Sequence, residues 1–179
     1  MKKEKIDTSK WQDFKIGTLF VISRPNSRSA QKYAKGNVGF VASGNYNNGI
    51  IDYLEPKDEH DFDEGNCITV SPVDGYAFFQ KDRFLGRGGA GSSIMILRNE
   101  HLNEYNGCFI CTILRKTCSE WTYSDMGNND TLADTIIRLP VKSKGIPDWK
   151  YMEQYMKQVE RTARNNISLI CNAIKFPFE

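Results

Sequence analysis

The sequence predicts an α+β chain, a mixed, β-rich body followed by one long C-terminal helix, and three observations predict it. Short runs of β-branched and aromatic residues recur from Leu19 to Val141, separated by Gly, Asn, Asp and Pro, which is a strand-and-turn signature. One segment, Asn103–Cys118, interrupts them with helical spacing. Beyond Pro147 a single three-four apolar stripe takes over and runs almost to the end of the chain. A length of 179 residues suits one domain with an appended element, and folding at this size buries roughly 70% of the unfolded chain's surface.

Taken in order, Trp11–Ile22 reads as a short amphipathic entry tightening into a first strand, which Arg24-Pro25-Asn26 ends. Ser23–Asn37 is polar and basic and reads as a loop or exposed helix. Val38–Ala42 is a second strand, Ser43–Gly49 a turn dense in residues that tolerate positive φ, and Ile50-Ile51 opens a third strand. Cys67–Ser71, Gly75–Gln80 and Ser93–Leu97 follow as strands at short spacing. In Asn103–Cys118 the residues Tyr105, Phe109, Ile110, Ile113 and Leu114 share one helical face, and Ile136–Val141 is a last strand. The closing helix carries Trp149, Met152, Met156, Val159, Ala163, Ile167, Ile170 and Ile174 on its stripe, with Asp148 as N-cap and Pro177 as stop. Its length of roughly 40 Å exceeds what a small body can cover, so part of the stripe is expected to meet another helix. The division is therefore a body over 1–146 and a helical segment over 147–179.

Composition narrows the function classes. Hydrophobic residues make up 40% and charged residues 26%, which excludes disordered, collagenous and purely coiled-coil chains. No apolar run approaches the roughly 18 residues of a membrane helix, and the charged start MKKEKIDTSKW has no apolar stretch behind it as a secretory signal would. Five cysteines, at 67, 108, 111, 118 and 171, are an odd number and point to a reducing cytoplasm. The net charge of +2 conceals an asymmetry: residues 52–64 hold seven acids and one lysine, −6, leaving 23 bases against 15 acids elsewhere, +8. A mildly basic body with one acidic projection fits nucleic-acid binding, and a solvated acidic loop on a neutral protein fits equally.

Catalytic signatures are weak throughout. Gly86–Ser93 has two glycines at P-loop separation without the lysine that reaches the phosphates, so it reads as a surface loop. Cys108-Phe-Ile-Cys111 has zinc-like spacing, but the two histidines, His60 and His101, form no ligand pair, and core packing is the better account. Glu55-Pro-Lys57 resembles half of a nuclease metal site, yet its proline is unsuited to the strand such a site needs. No nucleophile stands near an oriented histidine, and no cofactor-binding glycine turn follows the first strand. The chain is expected to be non-catalytic, with no metal or cofactor of its own. What remains are polar, basic and aromatic loops, with Arg24, Arg28, Lys32, Tyr46, Asn47, Lys81, Arg83, Arg87, Tyr123 and Asn128 as candidate DNA contacts. Arginine, lysine and asparagine read base edges, and other bases and hydroxyls hold phosphates.

The order of segments adds a resemblance. Trp11…Phe14-Lys-Ile-Gly-Thr-Leu-Phe20, then Phe40-Val-Ala-Ser43…Asn47-Asn-Gly49, then Ile68-Thr-Val…Asp74-Gly75…Phe79-Gln80, and finally Ile137-Arg-Leu-Pro140 before Val141 resemble a target-recognition domain. The domain is that of specificity (S) subunits of Type I restriction-modification systems and their Type IIB-like relatives. Gly145-Ile-Pro-Asp-Trp-Lys-Tyr-Met-Glu-Gln-Tyr-Met156 resembles the approach to that family's spacer helix. The resemblance implies a domain over 1–146 that reads half of a split duplex target from the major groove. It implies a spacer and dimerisation helix over 147–179 that docks methyltransferase (modification) subunits. Those partners would carry S-adenosylmethionine and the methyltransferase and endonuclease activities. Usual S subunits hold two such domains and two helices, and this chain one of each, so the resemblance implies a half-subunit that pairs with a second copy as a cytoplasmic homodimer on a symmetric target. The alternative is a truncated S-like interaction module that binds modification subunits and blocks or redirects them without productive DNA recognition.

Overall fold

A computed structural model describes residues 6–26, 29–89 and 91–174, with the side chains of 173 and 174 left out. The expected contacts at Arg28 and Ile174 and the stop at Pro177 therefore fall outside the described residues or side chains. The body begins with β1 (Gln12–Lys15), a single helical turn α1 (Ile16–Leu19) and β2 (Val21–Ser23), so the expected single entry strand is two strands around a turn. β3 (Lys35–Val41) and β4 (Ile50–Leu54) form a hairpin, followed by β5 (Cys67–Val70), β6 (Ala77–Gln80), β7 (Leu85–Gly86) and β8 (Met95–Arg98). Next come α2 (Glu104–Thr117), α3 (Asn129–Asp134), β9 (Ile136–Leu139), a hairpin of β10 (Val141–Ser143) and β11 (Ile146–Pro147), and α4 (Trp149–Ile174).

Two sheets share the body. The larger is antiparallel in the order β2–β8–β5–β6, and the smaller, β4–β3–β7, is mixed because β7 runs parallel to β3. β5 and β8 are buried on both faces, which is why they read as unbroken apolar runs rather than as alternation. Ile68, Val70, Met95 and Leu97 face Phe109, Ile110 and Leu114 of α2, while Cys67, Ile94 and Ile96 turn the other way with Val41 and Phe84. β1 pairs antiparallel with β9, Phe14 opposite Ile137. That pairing closes the body and sets its two ends beside each other where α4 departs.

α2 starts with a reciprocal capping box. The Asn103 side chain accepts from the Tyr105 and Asn106 amides, and Asn106 accepts from the Asn103 amide, so two orphan backbone donors are satisfied at once. The Gly75 turn joining β5 and β6 has φ +66°, and a Cβ there would lie 2.2 Å from the Cys118 carbonyl oxygen. Glycine is required on both counts.

α4 lies along α2 for its first three turns. Met152 is fully buried, Tyr155 meets Phe109 edge-on at 5.7 Å, and Tyr105 donates to Glu160 at 3.1 Å. From 163 to 172 every residue is exposed. The stripe thus splits: Trp149, Met152 and Met156 pack on the body, which corrects their expected place on an outward interface, because α2 covers that face. Val159, Ile167 and Ile170, at 42%, 60% and 59% exposure, continue it into solvent, and Ala163 lies exposed between them.

Candidate nucleic-acid interface

The basic candidates hang mainly from the smaller sheet and its junction with β8. β7 ends at Gly86, and the Arg87 amide donates to the Val41 carbonyl at 2.8 Å, placing Arg87 beside the end of β3. The glycine run that follows is exposed at Gly89 and Gly91 and buried at its two ends. Gly86 and Gly88 are buried, Ser93 and Ile94 return inside, and a Cβ on Gly86 would lie 2.7 Å from both Asp63 Oδ2 and the Pro25 ring. Arg24 reaches the far end of that run, its Nη1 donating to the Ser93 carbonyl, and desolvation lowers its pKa. The Ile94 amide in turn donates to the Arg87 carbonyl at 3.1 Å, so Arg24 is tied to the residue that precedes Arg87's backbone partner. Arg87 is half-buried, and its Nη1 is shut off from solvent without a hydrogen-bond partner among the described residues.

Arg83 and Lys81 behave differently. Arg83 pairs with Glu59 and, at 3.1 Å, with Glu64, and lies 4.0 Å over the Phe62 ring. The hydrogen bond to Glu59 raises its pKa. Lys81 pairs with Glu104 at 3.4 Å. The acidic segment is thus no projection, which corrects the expected layout. Lys35 holds Asp52 at 2.6 Å, and the Tyr33 hydroxyl donates to Asp61 at 2.8 Å. Arg98 donates to the carbonyls of Glu64 and Gly65. A base available to DNA by composition is here already occupied by a neighbouring acid. A cleft of about 550 Å³ opens beside them, with Ile50 and Phe79 on its walls and Asn48, Lys81 and Arg83 on its lining.

Asp63 is the residue that sequence reasoning missed. It is 4% exposed, and its carboxylate accepts from the Asn26 amide and the Gly86 amide, each at 3.1 Å. One buried acid thereby fixes the chain just after Arg24 and the chain just before Arg87. Burial pushes its pKa up to about 6 against those two hydrogen bonds and the nearby Arg98. Nothing in the run of acids distinguishes it, since its partners are 37 and 23 residues away.

The remaining candidates scatter. Asn47 has φ +47° and donates to the Ile50 carbonyl, closing the turn on which Tyr46 stands 65% exposed. Its neighbour Asn48 donates to Phe79 and Gln80, docking that turn against β6. Lys32 is exposed on a short helical turn. Tyr123 is 79% exposed on the α2–α3 connection. Asn128 is the exposed N-cap of α3: its Oδ1 accepts from the Asp130 and Thr131 amides at 2.9 and 3.0 Å, so capping engages its acceptor. Cys111 sits inside the α2 core with a thiol pushed far up by burial, and Cys108 is half-buried on the same helix. Among the described residues no group of three or more metal-ligating side chains occurs, and no helix is long and apolar enough to cross a membrane.

Residues 8–169 match the family model for the Type I restriction modification DNA specificity domain. The chain belongs to that family. Its specificity domain is also 27% identical over 154 residues to the type II restriction enzyme BgcI specificity subunit S.BcgI of Heyndrickxia coagulans, covering 84% of this chain and 43% of that protein. The fold of the specificity domain resembles the HsdS subunit from Thermoanaerobacter tengcongensis at TM-score 0.58 and 14% identity, over 90% of this chain and 40% of the other. It also resembles the Type I restriction-modification S subunit from M. genitalium at TM-score 0.55 and 13% identity, over 92% and 44%. The mixed, sheet-rich body with its long C-terminal helix is thus a shared architecture. The chain spans about two-fifths of the length of the relatives it matches.

Proposed function

We propose that this specificity domain is a non-catalytic DNA-recognition module of a restriction-modification system. Residues 1–146 read one half-site of a split duplex target through the major groove, and the segment 147–179, which carries α4, serves as the spacer that pairs with a second copy and docks methyltransferase subunits. The partners, working in the cytoplasm, supply S-adenosylmethionine and all bond-making and bond-breaking. Family membership supports the DNA-recognition role. The observation that carries the architecture is the apolar face of α4: buried on α2 at Met152, it continues into solvent at Val159, Ile167 and Ile170. Exposed apolar stretches of that kind mark interfaces, and Asn166 beside Ile167 supplies the polar group that fixes register in paired helices.

Base reading is assigned to the candidates that form no ion pair among the described residues, Arg24, Arg87, Lys32, Tyr46 and Tyr123. Lys81 and Arg83 contribute less, since each is paired with a glutamate. Methylome sequencing of cells expressing a modification subunit with and without this chain tests the reading. A new methylated motif that depends on the chain is the expected result. An unchanged methylome, with the chain bound to its modification subunit, would identify an interaction module that does not direct recognition.

A further inference from the structure

The five acids from Asp58 to Glu64 have different occupations. Glu59 and Glu64 pair with Arg83, Asp58 accepts from the His60 amide, and Asp61 accepts from the Tyr33 hydroxyl and the Lys57 amide. Asp63 alone among them is buried, and backbone amides rather than a cation hold its carboxylate. Its two oxygens are divided between segments far apart in the sequence. Oδ1 accepts from the Asn26 amide and Oδ2 from the Gly86 amide, each at 3.1 Å. The Asp63 amide and carbonyl pair with those of Phe84, and a Cβ on Gly86 would lie 2.7 Å from Oδ2 and from the Pro25 ring. Three segments of chain therefore meet at this one carboxylate. Arg24 stands two residues before the first amide and Arg87 one residue after the second. The loop beyond Arg87 is held again at Ser93, by Arg24, while a Cβ on Gly91 would meet nothing within 4 Å.

We propose that Asp63 is a positioning residue, an inference that rests on the DNA-recognition reading and deepens it: its ionised carboxylate holds the segment carrying Arg24 and the segment carrying Arg87 in one arrangement, and protonation releases it. The chemistry of the group explains why an acid stands there. An ionised carboxylate has acceptors only, so each oxygen takes one amide. Protonated, or replaced by Asn, the same side chain turns a donor toward one of the two amides and keeps one good acceptor. Burial makes the charged form costly and so brings this change close to neutrality, with the pKa pushed up to about 6. Arg98 of β8 acts against that rise, although its guanidinium donates to the Glu64 and Gly65 carbonyls. Cys67 of β5 also feels the Asp63 charge, and burial pushes its thiol up to about 12, so it stays neutral. Arg24 and Glu64 line, with Asp63 and Arg98, a cavity of about 420 Å³ beside the carboxylate. Arginines keep their charge at any working pH, and Glu64 is exposed and paired with Arg83.

The full chain and its Asp63→Asn variant, with and without a mixed-sequence duplex at fixed ionic strength, test this role. Asp63→Asn buries no charge, so at about pH 7.5 it should unfold no earlier than the parent, and weak binding by it is not a loss of structure. In the parent the Asn26 and Gly86 amide resonances should move together through one midpoint near pH 6, and in Asp63→Asn neither should move there. That joint titration is read in the parent and does not depend on the variant. Loss of one charge-assisted hydrogen bond shifts the held arrangement by about tenfold, and affinity follows the fraction that remains competent. The parent should therefore bind the duplex about tenfold more tightly than Asp63→Asn at about pH 7.5 and equally at about pH 5. His60 and His101 act on both chains alike, so the ratio isolates Asp63. Two results overturn the role: amides of Asn26 and Gly86 that titrate at separate midpoints or not at all, or an affinity ratio that is constant across the range, which makes Asp63 a purely structural residue. Joint titration without duplex binding at any pH upholds the coupling of the two segments and removes the DNA-recognition reading instead.

Discussion

Burying a carboxylate costs free energy even when two amides donate to it, and at Asp63 burial outweighs them, raising the pKa from 3.8 to about 6. The sign follows from linkage. Between about pH 4 and 6 the unfolded chain has released the proton that the folded chain retains, so this group lowers stability as pH rises through that window, and above it the loss stays constant. The size is of the order of 2–3 kcal/mol. Replacing it by Asn removes the dependence, so urea unfolding at stepped pH should show Asp63→Asn gaining on the parent from pH 4 to 6 and then running level. A constant difference across that range would contradict the assignment. At a second residue, Cys111→Ser places a hydroxyl in the α2 core, where Cys111 is 4% exposed, and should cost about 1–3 kcal/mol in thermal or urea unfolding. Cys111→Ala should cost less, because nothing polar is stranded, and neither change should alter metal content. Stoichiometric zinc in the parent, lost in either variant, would contradict the packing account.

Elements are held by contacts that local preference alone does not reveal. Gly107 lies inside α2, where alanine is intrinsically better by about 1 kcal/mol. A Cβ there, however, would sit 2.4 Å from the Phe79 ring of β6, and overpacking typically costs about 1–3 kcal/mol. Gly107→Ala should therefore destabilise on balance, and a rise in melting temperature would show that β6 yields easily. The distal half of α4 makes the opposite prediction. Val159→Asp with Ile167→Asp adds charge to side chains 42% and 60% exposed, so the body should unfold at an unchanged temperature while sedimentation shows loss of self-association. Retention of the oligomer would move the interface elsewhere. How far these elements were legible varies for physical reasons. α2 and α4 are long, and a three-four stripe accumulates over many turns. β5 and β8 have both faces covered, so they stand out as apolar runs. α3 has only Leu132 buried and β7 is two residues long, leaving no period to detect. β1 shows a single buried residue, Phe14, and takes its identity from pairing with β9 more than a hundred residues away.

At the scale of the whole molecule, charge is arranged by contact rather than by count. The −6 segment lies along the surface of the basic body, where Lys35, Arg83 and Arg98 hold it. Lys35, Lys81 and Arg83 are answered by neighbouring acids, whereas Arg24, Arg87 and Lys32 form no ion pair among the described residues. The sequence shows which residues carry charge and that their segments follow the order of a specificity domain. It does not show that Asp63 bridges two arginine-bearing segments, because that depends on which loops the two sheets bring together. The emerging picture is a sheet-rich body presenting polar, basic and aromatic loops, with a helix that leaves the body partway along its apolar face. Under the proposed function, two copies joined by α4 present two such bodies to one duplex, related by a two-fold axis. Selection of bound sequences by the purified chain from a pool of randomised duplexes tests this most directly. The predicted result is enrichment of a split motif with inverted half-sites, reduced to a single half-site or lost in Val159→Asp with Ile167→Asp. Failure of the parent chain to enrich any sequence, or enrichment of one undivided motif unchanged by the double substitution, would contradict it.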